Sequence, residues 1–243
     1  MAWCNVAKGR AQHITLLQLC WARGVDVVHV QEPSVGEGTT TQNHPGYESY
    51  APMDSWNGLL DGPRVMSYVR RGKRINAQQK RPIDSRDINC LVVNGRLMMN
   101  IYRCPRTDPV LDFAINFDYP PNSIVGGDWN LWHPMFEPGV RGRDRGRDVV
   151  EWMQTSGLPF TGIPGQATHR DGHVIDLVFS DIPFTETSVA GDLRTGSDHE
   201  TLLTTIPGRG FSAPERVRYR VPLDCIPEFY GLVKAGGSDL AQR

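Results

Sequence analysis

The chain has 243 residues, 39% of them hydrophobic and 22% charged, with a formal net charge of −1. That length suits a single layered-sheet unit with a real core, and no run approaches the roughly 18 apolar residues that a membrane-spanning helix needs. The opening Met-Ala-Trp-Cys-Asn lacks a basic-then-apolar export segment. The five cysteines (Cys4, Cys20, Cys90, Cys104, Cys225) are odd in number and show no Cys-x-x-Cys spacing. They argue against a disulfide framework or a zinc site and fit a reducing compartment, nuclear or cytoplasmic.

In chain order, residues 10–24 place Ile14, Leu17 and Trp21 at helical spacing, and Gly24 is a natural stop. Val25–Val30 reads as an interior strand running into Gln31-Glu32-Pro33. A Gly/Thr/Pro-rich loop is expected from Ser34 to about Pro63. Arg64–Arg70, Ile88–Asn94 and Arg96–Tyr102 read as successive strands, with turns at Arg71-Gly72 and Asn94-Gly95. Thr107 before Asp108-Pro109 marks a helix start, with Leu111 and Ile115 inward. Ser123–Asp128 is a strand breaking into a glycine turn, and 144–157 is a helix ended by Gly157. His173–Ser180, Thr187–Ala190 and Thr201–Ile206 are further strands. The pattern predicts an α/β fold of two packed sheets flanked by helices over residues 1–206, then a linker or C-terminal extension over 207–243, with an amphipathic piece near Leu223–Val233.

Charge is uneven. From Arg64 to Arg106 there are eleven Arg or Lys against two acids, Asp84 and Asp87, a local balance of +9. Such a stretch supplies attraction for a phosphate backbone, or else forms a solvated face of hairpin turns.

Gly126-Gly127-Asp128-Trp129-Asn130 projects a carboxylate and an amide from one strand tip. This is a means of positioning water and phosphate, or an Asx turn after a strand. Asp176 sits inside the apolar run Val174–Val178, where an ionised carboxylate needs a partner. His199, in Gly196-Ser197-Asp198-His199, is the economical one, and the pair either serves chemistry or simply closes the sheet. Asn5, Glu32, Asp128, Asp176 and Asp198 all fall at strand ends, so they can converge on one edge where a hard cation finds oxygen ligands. Arg141–Arg147 reads as a surface loop. His13, His29 and His44 lie outside the constellation, Trp21 and Trp152 are core candidates, and Trp56 and Trp132 sit in loops. Trp132 either stacks on a base or packs its own loop.

The order Asn5, Gln31-Glu32, Asn100-Ile-Tyr102, Gly127-Asp128-Trp-Asn130, Ile175-Asp176, Ser197-Asp198-His199 resembles the endonuclease/exonuclease/phosphatase superfamily, which includes DNase I, over residues 3 to about 206. Arg64–Arg70, His133-Pro134 and Thr168 make it most similar to endonuclease domains of LINE-type (non-LTR) retrotransposons. The resemblance implies a four-layer αββα sandwich, two mixed sheets face to face with flanking helices. It also implies a Mg²⁺-dependent DNA endonuclease (Mn²⁺ as an alternative ion) that nicks target DNA beside a reverse transcriptase domain.

Carried over, Glu32 binds the ion with Asn5 and Asp198 as ligands or orienters, and Asp128 aligns or deprotonates the attacking water. Asn130 supports the scissile phosphate, His199 oriented by Asp176 stabilises its charge, and Tyr102 lies beside the leaving group. Arg64, Arg103, Thr168 and Ser197 are expected to bind substrate. Two positions depart from the family pattern: Arg103-Cys104 after Tyr102, and Trp129 in place of Phe. Two other readings stay open, a same-fold phosphatase or phosphodiesterase on a small phosphorylated substrate and an inactive nucleic-acid-binding derivative. The Pro-x-Trp-Cys-Asp-Arg stretch of inositol phosphatases is absent.

Overall fold

The computed structural model describes residues 1–207 apart from 59, 73, 74 and 106. The expected extension therefore lies, beyond Pro207, outside the described residues, as do Lys73, Arg74 and Arg106 of the basic stretch.

The chain builds two sheets, each around one right-sized crossover. Strand β1 (Ala2–Asn5) leads through helix α1 (Arg10–Arg23) to β2 (Val27–Gln31), which lies parallel to it. Gly24, at φ +80°, ends the helix by turning its N–H back onto the Cys20 and Trp21 carbonyls. A small hairpin of β3 (Val35–Gly36) and β4 (Thr40–Thr41) precedes β5 (Tyr47–Tyr50) and β6 (Val65–Arg70). The second sheet starts with β7 (Ala77–Lys80), β8 (Ile88–Val93) and β9 (Arg96–Tyr102), then crosses through α2 (Pro109–Asn116) to the parallel β10 (Ser123–Asp128). Helix α3 (Gly146–Ser156) is followed by β11 (Asp176–Ser180), which adds to β10, and by β12 (Glu186–Val189) and β13 (Leu202–Thr205), which return to the first sheet. The strand orders are β12-β13-β1-β2-β6-β5 and β11-β10-β9-β8-β7.

Period-two alternation sends each strand's side chains into two layers. On β2, Val28 and Val30 meet Leu16, Leu17 and Cys20 of α1, while Val27 points the other way, toward Leu91 and Met98 of the second sheet. Met99, Ile101, Val125 and Phe179 of that sheet face outward onto Leu111 of α2 and Val149 and Trp152 of α3. The result is helix, sheet, sheet, helix, as the resemblance implied. Each fully buried Leu, Val or Phe contributes roughly 2 kcal/mol of transfer free energy.

Polar groups clasp the sheets. Asn100 on β9 donates to the Val30 and Met66 carbonyls of the first sheet (3.1 and 2.9 Å) and accepts from Gln31 (2.5 Å). A buried amide satisfied at both ends, as that of Asn100 is, costs little and fixes the relative register of the layers.

Several expectations shift. The inward face of α1 is His13, Leu16, Leu17 and Cys20; Ile14 is exposed and Trp21 is half-buried under the Arg70 guanidinium, 3.7 Å from its ring centre. β7 was not predicted, because Ala77-Gln-Gln-Lys80 is a polar edge strand without apolar alternation, and β5 lies inside the stretch expected as loop. No disulfide links the described cysteines. Among the described residues no helix is long and apolar enough to cross a membrane.

Candidate active site

The register of the central strands sets the site. Asp128 at the end of β10 lies opposite Tyr102 of β9 on one side and Asp176 of β11 on the other. In the facing sheet Asn5 of β1 lies opposite Gln31 of β2, one residue before Glu32. Gly127 makes the strand end this way: at φ +136°, a Cβ there would stand 2.0 Å from the Ile101 carbonyl oxygen, so only glycine fits. At Gly126 a Cβ would press on Trp3 at 3.1 Å, closing the approach of the two sheets beneath the site.

Across the rim, the Asn5 amide nitrogen donates to Asp128 Oδ2 (3.0 Å) and to Glu32 Oε2 (3.4 Å), bringing both carboxylates to a common centre. The orientation of Asn5 follows from its Oδ1, which accepts the Ala7 N–H at 2.8 Å. The Ser197 hydroxyl donates to the Asn5 carbonyl (2.7 Å) and so ties the loop carrying His199 to the end of β1. His199 Nδ1 meets Asp176 Oδ2 at 2.9 Å, and its Nε2 lies 4.0 Å from Asp128 Oδ2.

Electrostatics follow from burial. Removal from water is the main reason the Asp128 carboxyl is raised to about 7, with the Asp176 charge adding to it and His199 and Asn5 opposing. Burial alone would depress His199, but the Asp176 carboxylate outweighs it and lifts the imidazole to about 9. Burial, then the Glu32 and Asp128 charges, hold the Tyr102 phenol protonated well above its ordinary range. Despite partial burial, Asp198 is lowered by His199. Near neutral pH the rim therefore combines an acid poised to release its proton with a charged imidazole, the pairing that base-assisted attack on a phosphate requires.

Residues 97–203 match the family profile described as endonuclease-reverse transcriptase. The fold is similar to the endonuclease domain of TRAS1, a telomere-specific non-LTR retrotransposon, at 15% identity and a TM-score of 0.69 over 84% of this chain and 96% of that one. These likenesses show a DNase I-like fold, with the family profile matching the part of it from β9 to β13. Further members of this fold to which it is similar are a 3'-5' exonuclease from Neisseria meningitidis (13% identity, TM-score 0.55, covering 84% and 98%) and an AP endonuclease from Archaeoglobus fulgidus (13%, 0.53, 84% and 98%). No curated protein matches the chain.

Within this scaffold the residues divide into rim and support. Asn130, at φ +46°, returns its N–H to Asp128 Oδ1 and donates its amide to the Arg103 carbonyl at 2.9 Å. Arg64 lies over the Tyr102 ring at 5.3 Å with its guanidinium on Asp87. Three residues expected to bind substrate have structural partners. Arg103 is buried, its guanidinium on the Asn130 carbonyl (2.7 Å) and Asp108 (2.8 Å), so it anchors the Asn130 turn from inside. Thr168 is buried with its hydroxyl accepting the Ile175 and Asp176 N–H groups (3.1 and 3.0 Å), which sets where Asp176 stands. Ser197 spends its hydroxyl on Asn5. Asp198, expected beside Glu32, has Ser197, His169 and His199 as its neighbours.

The basic stretch is largely engaged in structure as well: Arg81 on Asp54, Arg71 on the Tyr47 carbonyl, Arg70 on the Trp21 carbonyl. Trp132 is capped by Arg143 at 4.1 Å and Trp56 is buried, so both pack their loops.

Two residues escaped the sequence reading. His169 packs edge-on to His199 (4.8 Å between ring centres) with Nε2 3.7 Å from Asp198. Lys8 places its ammonium 3.1 Å from Glu32 Oε1. The donor set fits a divalent ion. Glu32 is a carboxylate with an 18% exposed side chain on an open cavity of about 310 Å³, also lined by Lys8, Val35, Leu60, Arg64 and Arg86. Among the described residues two groups, Asp128–Asp176–His199 and His169–Asp198–His199, each bring three ligand atoms within 4.8 Å of one another, and Glu32 stands outside both. Carboxylate oxygens at the Glu32–Asp128 centre suit Mg²⁺ or Mn²⁺.

Proposed function

We propose that the chain is a divalent-metal-dependent endonuclease that hydrolyses DNA phosphodiester bonds, nicking target DNA for a non-LTR retrotransposon. The observation that carries this reading is the single rim on which Asn5 bridges Glu32 to Asp128 while Asp176 holds a charged His199 against that same Asp128.

Asp128, raised to about 7, takes a proton from the attacking water once it is itself ionised. Asn130, fixed by the turn that Arg103 anchors, orients that water or a phosphate oxygen. His199 presents its Nε2 proton to a non-bridging oxygen, where negative charge builds as phosphorus becomes five-coordinate, and Asp176 keeps the ring oriented and protonated. Tyr102 offers its hydroxyl beside the departing oxygen. A divalent ion held by Glu32 and oriented by Asn5 would supply further neutralisation of that charge when bound. The matched profile is described as endonuclease-reverse transcriptase, and the proposal extends to a reverse transcriptase as partner.

The test is nicking of supercoiled plasmid with Mg²⁺, compared with wild type for Asp128→Ala and His199→Ala and with inositol phosphates as the competing substrate class. Loss of nicking in both variants is expected. Equal behaviour of all three proteins, or release of phosphate from the inositol compounds alone, would refute the proposal.

A further inference from the structure

The turn after β1 is unusual in its backbone. Ala7 and Lys8 both adopt positive φ (+48° and +61°), a region that side-chain-bearing residues seldom enter in succession. The turn is nevertheless over-determined. Ala7 N–H is held by Asn5 Oδ1, Lys8 N–H by the Glu32 carbonyl at 2.8 Å, and Gly9 N–H by the Val6 carbonyl at 2.8 Å. Glu32 itself stands at φ +44° with its N–H on the Arg64 carbonyl. Two strained segments thus face each other and are bonded main chain to main chain, and the consequence is that Lys8 delivers its ammonium onto Glu32 Oε1 at 3.1 Å. The other carboxylate oxygen is turned to Asn5, so the lysine holds the outward face of the one rim carboxylate that opens onto the cavity.

We propose that Lys8 is a tethered counter-ion of Glu32 that a divalent ion must displace, and that it is thereby a specificity-determining residue for metal loading. This rests on the metal-dependent reading of the same site. An ammonium and a metal ion make the same demand on a carboxylate, and both cannot sit at one oxygen without mutual repulsion. Lys8 is half-exposed on a long stem, so it can swing into the cavity beside Arg64 and Arg86 when displaced. There it adds a third cation facing a strand phosphate. Lys8 in this view weakens binding of the ion to the free protein and leaves catalysis, once the ion is in place, to the rim residues.

The experiment is Mn²⁺ binding without nucleic acid, read by electron paramagnetic resonance and calorimetry, on wild type, Lys8→Met, Lys8→Arg and Arg23→Met. Arg23 pairs with Asp192 on the surface and controls for loss of one positive charge. Lys8→Gly, which relieves the positive φ, serves as a second neutral variant, and thermal melting establishes that each protein is folded. Lys8→Met and Lys8→Gly are expected to bind Mn²⁺ about fivefold more tightly, the factor equivalent to about 1 kcal/mol, with Lys8→Arg and Arg23→Met close to wild type. Equal affinity across all five proteins, or equal tightening by Lys8→Met and Arg23→Met, would overturn the inference while leaving a metal-dependent site standing. Absence of binding in every protein would overturn it together with the metal-dependent reading.

Discussion

Replacing Asp176 by Asn tests how the imidazole acquires its charge. His199 has an 8% exposed side chain, and burial alone would pull it below the ordinary histidine value, yet the Asp176 carboxylate at 2.9 Å holds it at about 9. Raising a histidine from about 6.5 to that value is worth roughly 3 kcal/mol of preference for the charged ring. Asn preserves the size and one hydrogen bond but removes the charge. At pH 7.5 the imidazolium fraction then falls from nearly complete to about one tenth or less, so kcat/KM falls at least about tenfold.

The shape of the pH profile is the sharper readout. Wild type is expected to show a bell with an acid limb near 7, from Asp128, and an alkaline limb near 9, from His199. In Asp176→Asn the alkaline limb moves below 7, and the acid limb moves down too, since Asp176 also raises Asp128. Stability follows the same linkage. His199 is raised above its unfolded value, so its contribution is full below about pH 6.5 and lost as pH rises through about 9; the variant lacks that dependence. An alkaline limb that stays at 9 in Asp176→Asn would refute the assignment of charge to this pair.

Arg103→Ala should destabilise the fold by about 3 kcal/mol, because it strips partners from the Trp129 and Asn130 carbonyls and leaves Asp108 only its longer approach to Arg145 (3.9 Å), and should do so without raising KM for DNA in proportion; denaturant melts and steady-state kinetics measure both. Thr168→Val keeps the shape but orphans two buried N–H groups, so about 2 kcal/mol of stability and a fall in kcat rather than a rise in KM are expected. Gly127→Ala places a Cβ against the Ile101 oxygen and should yield no soluble folded protein, read by circular dichroism of the recovered material.

Much of the fold could be read from local signals. Gly24 and Gly157 stop helices, Asn94-Gly95 turns a hairpin, and Pro109 opens α2 just after Asp108, and each of these depends on conformations a few residues wide. Polar breaks in apolar runs also mark the rim, since Asn5 and Asp128 sit where such runs stop and Asp176 interrupts one. Side-chain direction is a different matter. Arg103 follows the last residue of β9 just as Trp129 follows the last residue of β10, yet the guanidinium is turned into the protein by carbonyls 26 and 27 residues away in sequence, a choice that only the packed layers make.

His169 and Lys8 were missed for the same reason. Neither has a motif of its own, and each acquires meaning from a distant partner: His169 from its bridge to His199, Lys8 from a turn bonded to Glu32. The polar edge strand β7 was invisible because a strand with one face in water and Ala77 as its one apolar residue carries no period to detect.

The common rim is tested most directly by anomalous scattering from crystals soaked in Mn²⁺ and a short DNA strand. A manganese peak bound to Glu32, with a backbone phosphate between it and the His199 ring and Asp128 alongside, is the expected result. A peak held by His169 and Asp198, with Glu32 still on Lys8 and the phosphate elsewhere, would contradict it.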